Sequence, residues 1–359
     1  MVPAMGAFLI YGATGYTGAL AAEHAAATGL RPVLAGRNRE AVRALGERLG
    51  LEWRAFGLDA PAGIRDGIAG MAAVLHAAGP FSATARPMAE ACLRAGAHYL
   101  DITGEIDVFE ALAARDAEAR AAGVMLLPGA GFDVVPSDCL AAHVAARLPD
   151  ATRLRLSIGG LGSVSRGTAK TMVEGIAHGT RLRRGGRLVS VAATPRASAD
   201  FGRGARPTIG VSWGDVATAW RSTGIPEIAV FFEATPALER AAGMPGVLRR
   251  VLGTGVAQRF LHRQIERRMP PGPTEAQRAR GRAVVLAEAW NAAGRRVASR
   301  LETPDGYALT ALTAVALAQR AATGGAAPGY QTPATAFGAE FVLGFPGVAR
   351  RDLPSDAVA

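Results

Sequence analysis

From Ala7 onward, short unbroken apolar runs alternate with stretches whose apolar residues recur every three or four positions. The runs are "AFLIY", "PVLAG", "EWRAF", "AAVLHAA", "HYLDI" and "VMLLPG". Around them stand "TGALAAEHAAATG", "NREAVRALGERLG", "ATARPMAEACLRAG", "IDVFEALAARDAEARAAG" and finally "PSDCLAAHVAARL". Apolar runs without alternation are strands buried on both faces, and the helical text is long enough to cross over between them. The pattern predicts six β/α units of a doubly wound parallel sheet, ending near residue 148.

After Asp150 the period changes to two, in "TRLRLSIGG", "GRLVSVAAT", "TIGVSWGDVATAW", "EIAVFFEA" and the pair of runs around Asn291 to Gly294. Alternation with short connections predicts a mixed or antiparallel sheet with helices on one face. The fold class expected is therefore α/β, an N-terminal doubly wound parallel Rossmann domain followed by a second α+β domain. Residues 237–268 read as amphipathic helices broken by "GMPG" and "GTG", and "MPPGPTE" reads as a loop.

Length agrees with two cores, since 359 residues exceed what one hydrophobic core ordinarily organises. The only cysteines, Cys92 and Cys139, lie in helical text and define neither a disulfide framework nor a cysteine zinc site. No basic leader and no apolar run of about 18 residues is seen, so a soluble, cytoplasmic chain without a transmembrane segment is expected. The net charge of +10 raises nucleic-acid binding as a possibility. The basic residues come in short bursts, "RLRRGGR" and "RQIERR", with no interleaved aromatics, and Lys170 is the one lysine among 40 basic residues. With so much Ala and Gly, GC-rich coding accounts for much of the arginine. No nucleic-acid partner is expected, whereas a phosphorylated cofactor or an acidic carrier protein would suit such a surface.

The first strand runs straight into "YGATGYTG", where Gly12, Gly15 and Gly18 keep a three-residue step. A glycine-rich turn between a strand and a helix brings backbone N–H groups and the helix dipole against a pyrophosphate. The step is a variant of the G-x-G-x-x-G fingerprint, and its place at the head of six β/α units supports a dinucleotide site. Thr14, Tyr16 and Thr17 fall within the same turn. The second strand ends in "AGRNRE", with Arg37 and Asn38 where an NAD site would carry an acid. A guanidinium there pairs with a 2′-phosphate, so NADP is the expected cofactor, with Arg39 as a second cation. Asp59 after the third strand, and Ala78, Gly79, Pro80 and Phe81 after the fourth, complete the expected lining.

Other chemistries lack their residues. None of the five tyrosines is followed by the lysine of a Tyr-x-x-x-Lys pair, the six histidines show no metal spacing, and no G-x-S-x-G elbow follows a strand. No metal is expected. A hydride from the cofactor leaves the protein to position substrate and supply one proton. His76, Glu105 and Asp133, at strand ends, and Lys170, opening a helix of the second domain, are the candidate catalytic residues. Helix capping is the alternative role for Glu105 and Asp133, and an ion pair with Glu174 that for Lys170.

Taken together, "GATGYTG", "AGR", "AAGPF", "HYLDITGE" and "GFDVVPSD", with weaker matches in "SRGTAKTMVEG", "RLRRGGRLV" and "LETPDGYALTA", resemble the saccharopine-dehydrogenase-like oxidoreductases, including the branch of trans-acting enoyl reductases. His76 departs from the family pattern, which usually has a smaller or amide residue there. The resemblance implies an NADP-binding domain over 1–148, completed by 325–359, and a substrate domain over 149–324. It also implies an NADPH-dependent reductase of an enoyl or related activated double bond on a small-molecule or carrier-bound acyl substrate, held between the domains. C=N reduction is the alternative, with Arg166 or Arg221 serving a substrate carboxylate, and a non-catalytic NADP-binding redox sensor is the alternative of another class. A homodimer is compatible with this reading.

Overall fold

A computed structural model describes residues 6–175 and 179–354, so His178 lies outside the described residues. The chain divides into two compact units, Met1–Val135 with Tyr307–Ala336, and Pro136–Gly306 with Phe337–Ala359.

The first unit is built on seven strands: β1 (Phe8–Tyr11), β2 (Val33–Gly36), β3 (Trp53–Ala55), β4 (Ala73–His76), β5 (His98–Asp101), β6 (Met125–Leu127) and, far along the chain, a two-residue strand Gly329–Tyr330. Their order across the sheet is Gly329–Tyr330, β6, β5, β4, β1, β2, β3, and every pairing is parallel. All residues of β1, β2, β4 and β6 are buried, as strands covered on both faces must be. The order reverses between β1 and β4, the topological switch point at whose carboxyl edge such sheets bind ligands.

The unit closes with a helix that the resemblance touched only weakly. Gly306–Ala322 is nearly all apolar and buries ten residues, among them Leu309, Val315 and Leu317. Thr310 Oγ1 accepts from Phe132 N at 2.9 Å, and Thr313 Oγ1 donates to Ala130 O at 2.9 Å. These bonds tie the loop after β6 to this helix.

The second unit carries nine strands, β7 (Ala151–Gly159), β8 (Thr180–Arg184), β9 (Arg187–Val191), β10 (Arg196–Asp200), β11 (Ala205–Val211), β12 (Glu227–Glu233), β13 (Arg282–Asn291), β14 (Arg296–Pro304) and a final strand Ala349–Leu353. The sheet is mixed, because β12 and β7 run parallel while the other pairs are antiparallel. Asn291 to Gly294 turns the β13–β14 hairpin as its sequence predicts.

The chain divides at other residues than those expected from the sequence. Helix Val135–Arg147 groups with the second unit: His143 Nε2 lies 2.8 Å from Asp352 Oδ1, and Arg147 donates to Ala298 O and Ser299 Oγ, each at 2.7 Å. The segment returning to the first unit is 307–336, not 325–359, because Ala349–Leu353 pairs with β14 and so completes the second sheet. "GDVATAW", expected to continue a strand, is helix Asp215–Thr223, ended by Gly224 at φ 70°. Strands β8 and β10 are not among those expected from the sequence; they are short and carry few apolar residues, Leu182 in β8 and Ala197 and Ala199 in β10.

Candidate functional site

The site is assembled at the carboxyl edge of the first sheet, where β1, β4, β5 and β6 release their loops. Gly12 leaves β1 at φ 82°, in the left-handed region, and a Cβ there would stand 2.8 Å from Ala78 N. A Cβ on Gly18 would overlap the Gly12 carbonyl. Both glycines therefore serve backbone-to-backbone packing, Gly12 against the loop after β4 and Gly18 against the turn itself. Gly15 is different: it is exposed, its φ of −73° is ordinary, and it is the N-cap of helix Tyr16–Ala27. With no side chain at the cap, the terminus is open to an anion. Thr14 is exposed beside it, Thr17 is half-buried, and the Tyr16 ring packs edge-on against Tyr307 at 5.3 Å.

A second helix begins close by, and its terminus is already taken. Glu105 accepts from Phe81 N at 2.9 Å and from Ser82 N at 2.7 Å, so its carboxylate sits at the head of helix Phe81–Ala95. Thr84 Oγ1 donates to Ala78 O at 2.6 Å and Pro80 O at 3.0 Å, fixing the Ala78–Gly79–Pro80 turn. The capping role expected of Glu105 is thus real, but for the helix that begins 24 residues before it rather than for the one it precedes.

Arg37 stands exposed at the end of β2 and makes no hydrogen bond or ion pair among the described residues. Its neighbours are committed elsewhere. Asn38 caps helix Arg39–Leu49 by accepting from Ala41 N at 3.1 Å, and the Arg39 guanidinium lies 5.8 Å from the centre of the Trp53 ring. Asp59 is exposed, with its carboxylate folded toward Gly57. Burial raises the Tyr11 phenol above its ordinary range, while Arg37 pulls it down and Asp59 pushes it up, so both charges lie within reach of Tyr11.

His76 is not at the surface of this site. Its ring is fully buried, neither nitrogen has a partner, and it packs 5.5 Å from Tyr11, 5.5 Å from Phe81 and 6.2 Å from Tyr99. Burial depresses its pKa to about 3, so it is a neutral core residue at physiological pH and the expectation of an acid is corrected. Phe81 likewise turns its ring into this core rather than toward a ligand. Lys170 is also committed: Nζ lies 2.6 Å from Glu266 Oε1 on helix Gly255–Arg268, and Glu174 faces His262 instead. Such a partly exposed pair contributes at most about 1 kcal/mol. Lys170→Arg and Lys170→Ala are expected to turn over cofactor at near-normal rates, and a large loss in both would restore the proton-donor role. Arg166 Nε donates to Met269 O at 2.6 Å, which withdraws that guanidinium from substrate duty.

Two carboxyls remain at the edge, Asp101 fully buried and Asp133 half-buried. Asp133 lies against Gly104, with Oδ2 2.9 Å from where a Cβ would stand, and desolvation raises its pKa to about 7. Asp101, which sequence reading missed, accepts from Thr103 N at 2.9 Å, Gly129 N at 3.0 Å and Tyr99 Oη at 2.7 Å. It pins the loops after β5 and β6 to each other. "HYLD" shows the signal in retrospect, an acid ending an otherwise apolar strand. Burial raises Asp101 to about 7 against hydrogen bonds that lower it. The sign follows from linkage: between pH 4 and 7 the unfolded carboxyl ionises and the folded one does not, so stability falls by up to about 1.4 kcal/mol per pH unit and then levels. Asp101→Asn keeps the shared acceptor, and its melting temperature relative to wild type should rise across that window; a constant difference would refute the assignment.

Cys92 and Cys139 are buried, with their thiols pushed up by desolvation. Among the described residues there is no metal-ligating cluster and no helix long and apolar enough to cross a membrane.

Switch-point loops, an open helix terminus and a free arginine after β2 define a dinucleotide-binding domain, joined in one chain to a mixed-sheet domain. Residues 8–127 match the profile of the saccharopine dehydrogenase NADP binding domain, which makes NADP the cofactor of the N-terminal domain. The chain is similar to a trans-acting enoyl reductase of Mycobacterium ulcerans, 32% identical over 153 residues, which cover 39% of this chain and 35% of that protein. It is also similar to that of Mycobacterium leprae, 37% identical over 139 residues, 36% of this chain and 33% of that protein. These alignments span about a third of the relatives' length. Among solved structures, apo saccharopine dehydrogenase (L-Glu forming) from Saccharomyces cerevisiae shares the fold, with a TM-score of 0.63 and 11% identity over 97% of this chain and 100% of that one.

Proposed function

We propose that the protein is an NADPH-dependent reductase of an enoyl or related activated double bond on an acyl substrate, free or carrier-bound. The observation that carries the cofactor half is the contrast between two helix heads at one switch point. That of Phe81–Ala95 is filled by Glu105, while that of Tyr16–Ala27 is left to an anion, with unpaired Arg37 nearby. Gly15 and the first turn would hold the pyrophosphate and Arg37 the 2′-phosphate. Bound NADPH supplies the hydride. The substrate half rests on the similarity to the trans-acting enoyl reductases.

Of the residues weighed as proton donors, Asp133 is the one whose environment holds a proton near neutrality. It sits in the loop after β6, and an enoyl group that has accepted a hydride needs a proton at carbon. With NADPH and a panel of enoyl thioesters, turnover should decline as pH rises through about 7, because the acid form disappears. Asp133→Asn should remove that decline and lower turnover while NADPH still binds. Consumption of NADPH with cyclic or linear imines but no enoyl thioester would favour C=N reduction instead.

A further inference from the structure

Most of the large apolar side chains exposed among the described residues lie on two neighbouring helices, Gly246–Leu252 and Gly255–Arg268. Among the described residues, Leu161, Met172, Val247, Leu248, Val251, Val256 and Phe260 are exposed, and all belong to the second unit. The helices Pro236–Ala242, Gly246–Leu252 and Gly255–Arg268 bury no residue at all. They are nevertheless held: Gln258 donates to Val173 O at 3.0 Å and Leu252 O at 2.8 Å, joining Gly246–Leu252, Gly255–Arg268 and the helix Arg166–Gly175 that carries Met172.

Charge is interleaved with these side chains. Residues 236–268 hold seven arginines and two glutamates. Both acids are neutralised from outside the segment, Glu239 by Arg196 at 2.6 Å and Glu266 by Lys170 at 2.6 Å. On Gly255–Arg268 the exposed side chains are Val256, Arg259, Phe260, Arg263, Arg267 and Arg268, with Glu266 paired to Lys170, and on Gly246–Leu252 they are Val247, Leu248, Arg250 and Val251.

We propose that these two helices seat the protein on the surface of an anionic phospholipid bilayer. An amphipathic helix lies in a membrane interface when apolar side chains enter the acyl boundary and cations meet lipid phosphates. Arginines beside Phe260 and Val251 suit that bed, since their stems lie along apolar surface while the guanidinium reaches headgroups. With both glutamates already neutralised, the seven arginines leave a surface whose complement is anionic, which disfavours a neutral or cationic protein partner. A second copy is disfavoured too, because a two-fold interface would set one cationic face against its own image.

The test uses the full chain with vesicles of phosphatidylcholine, alone or mixed with phosphatidylglycerol, scored by co-sedimentation. Wild type should sediment with the mixed vesicles and not with the neutral ones. The double variant Val256→Asp with Phe260→Asp should lose about tenfold or more in vesicle affinity, as should Arg259→Gln with Arg263→Gln and Arg267→Gln. At 70% and 60% exposure, Val256 and Phe260 can be changed without touching the core, and circular dichroism confirms folding. In Phe260→Trp the emission should shift to the blue on adding the mixed vesicles. Absence of binding to anionic vesicles overturns the proposal. So does equal retention of wild type and the aspartate variant, which would reduce the surface to charge adhesion of the kind an acidic protein satisfies. A concentration-dependent dimer abolished by Phe260→Asp, without vesicle binding, overturns it in favour of a second copy.

Discussion

Arg37→Asp is expected to weaken NADPH binding by roughly 30- to 1,000-fold, the 2–4 kcal/mol of a bidentate charge-assisted contact, while NADH changes little or improves. The asymmetry follows from what surrounds the position. Arg37 is exposed, has no hydrogen-bond or ion-pair partner among the described residues, and directly follows β2, where the ribose of a bound dinucleotide would lie. Its replacement therefore breaks no internal bond, and stability should hold. Aspartate accepts from a ribose 2′-hydroxyl but repels a 2′-phosphate, so the change strikes one cofactor and spares the other. Arg39 cannot compensate fully while it lies over the Trp53 ring. Titration of both cofactors by fluorescence measures the ratio, and equal losses for NADPH and NADH would remove Arg37 from the site.

The first domain was legible because its strands are buried on both faces, leaving runs such as Phe8–Tyr11 and Ala73–His76 uninterrupted, with the glycine turn between the first of them and its helix. What escaped was set by contacts distant in sequence. The helix Gly306–Ala322 reads as any apolar helix, and contacts far along the chain assign it to the first unit, among them the bonds of Thr310 and Thr313 to the loop 130–132 and the ring of Tyr307 against Tyr16. Helix Val135–Arg147 follows the sixth strand as a crossover should, yet His143 and Arg147 answer to Asp352, Ala298 and Ser299, more than 150 residues away.

The candidate site divides along the same line. Gly12 and Arg37 declare themselves through local rules, a left-handed turn and a cation after the second strand. His76, Glu105 and Lys170 had the right chemistry at plausible positions, but their neighbours decide what they do. A neutral imidazole between Tyr11 and Phe81, a carboxylate on Phe81 N and Ser82 N, and an ammonium on Glu266 could not be known from spacing. Asp101 was missed for the converse reason: its partners, Thr103 N and Gly129 N, belong to loops brought together only by the pairing of β5 with β6.

Substituting alanine at each glycine of the turn should separate the two tasks that the three-residue step combines. At Gly18 a Cβ would overlap the Gly12 oxygen, with Gly12 C at 2.9 Å and Ala13 Cα at 3.1 Å. All three are backbone atoms, so relief requires moving the end of β1 against its own helix. Overpacking of this kind costs about 1–3 kcal/mol, and Gly18→Ala should lower the melting temperature along with NADPH affinity. Gly12→Ala adds left-handed strain of about 1–2 kcal/mol to a clash with Ala78 N at 2.8 Å, and should be the worst folded of the three. Gly15→Ala meets only Gly12 O, at 3.2 Å, in an exposed position with an ordinary φ. Its fold should survive nearly intact while its methyl group stands where a pyrophosphate must approach, so NADPH affinity should fall about tenfold or more with little change in melting temperature. If Gly15→Ala binds NADPH as the wild type does, the glycine step is a packing device alone and the dinucleotide is not held at this turn.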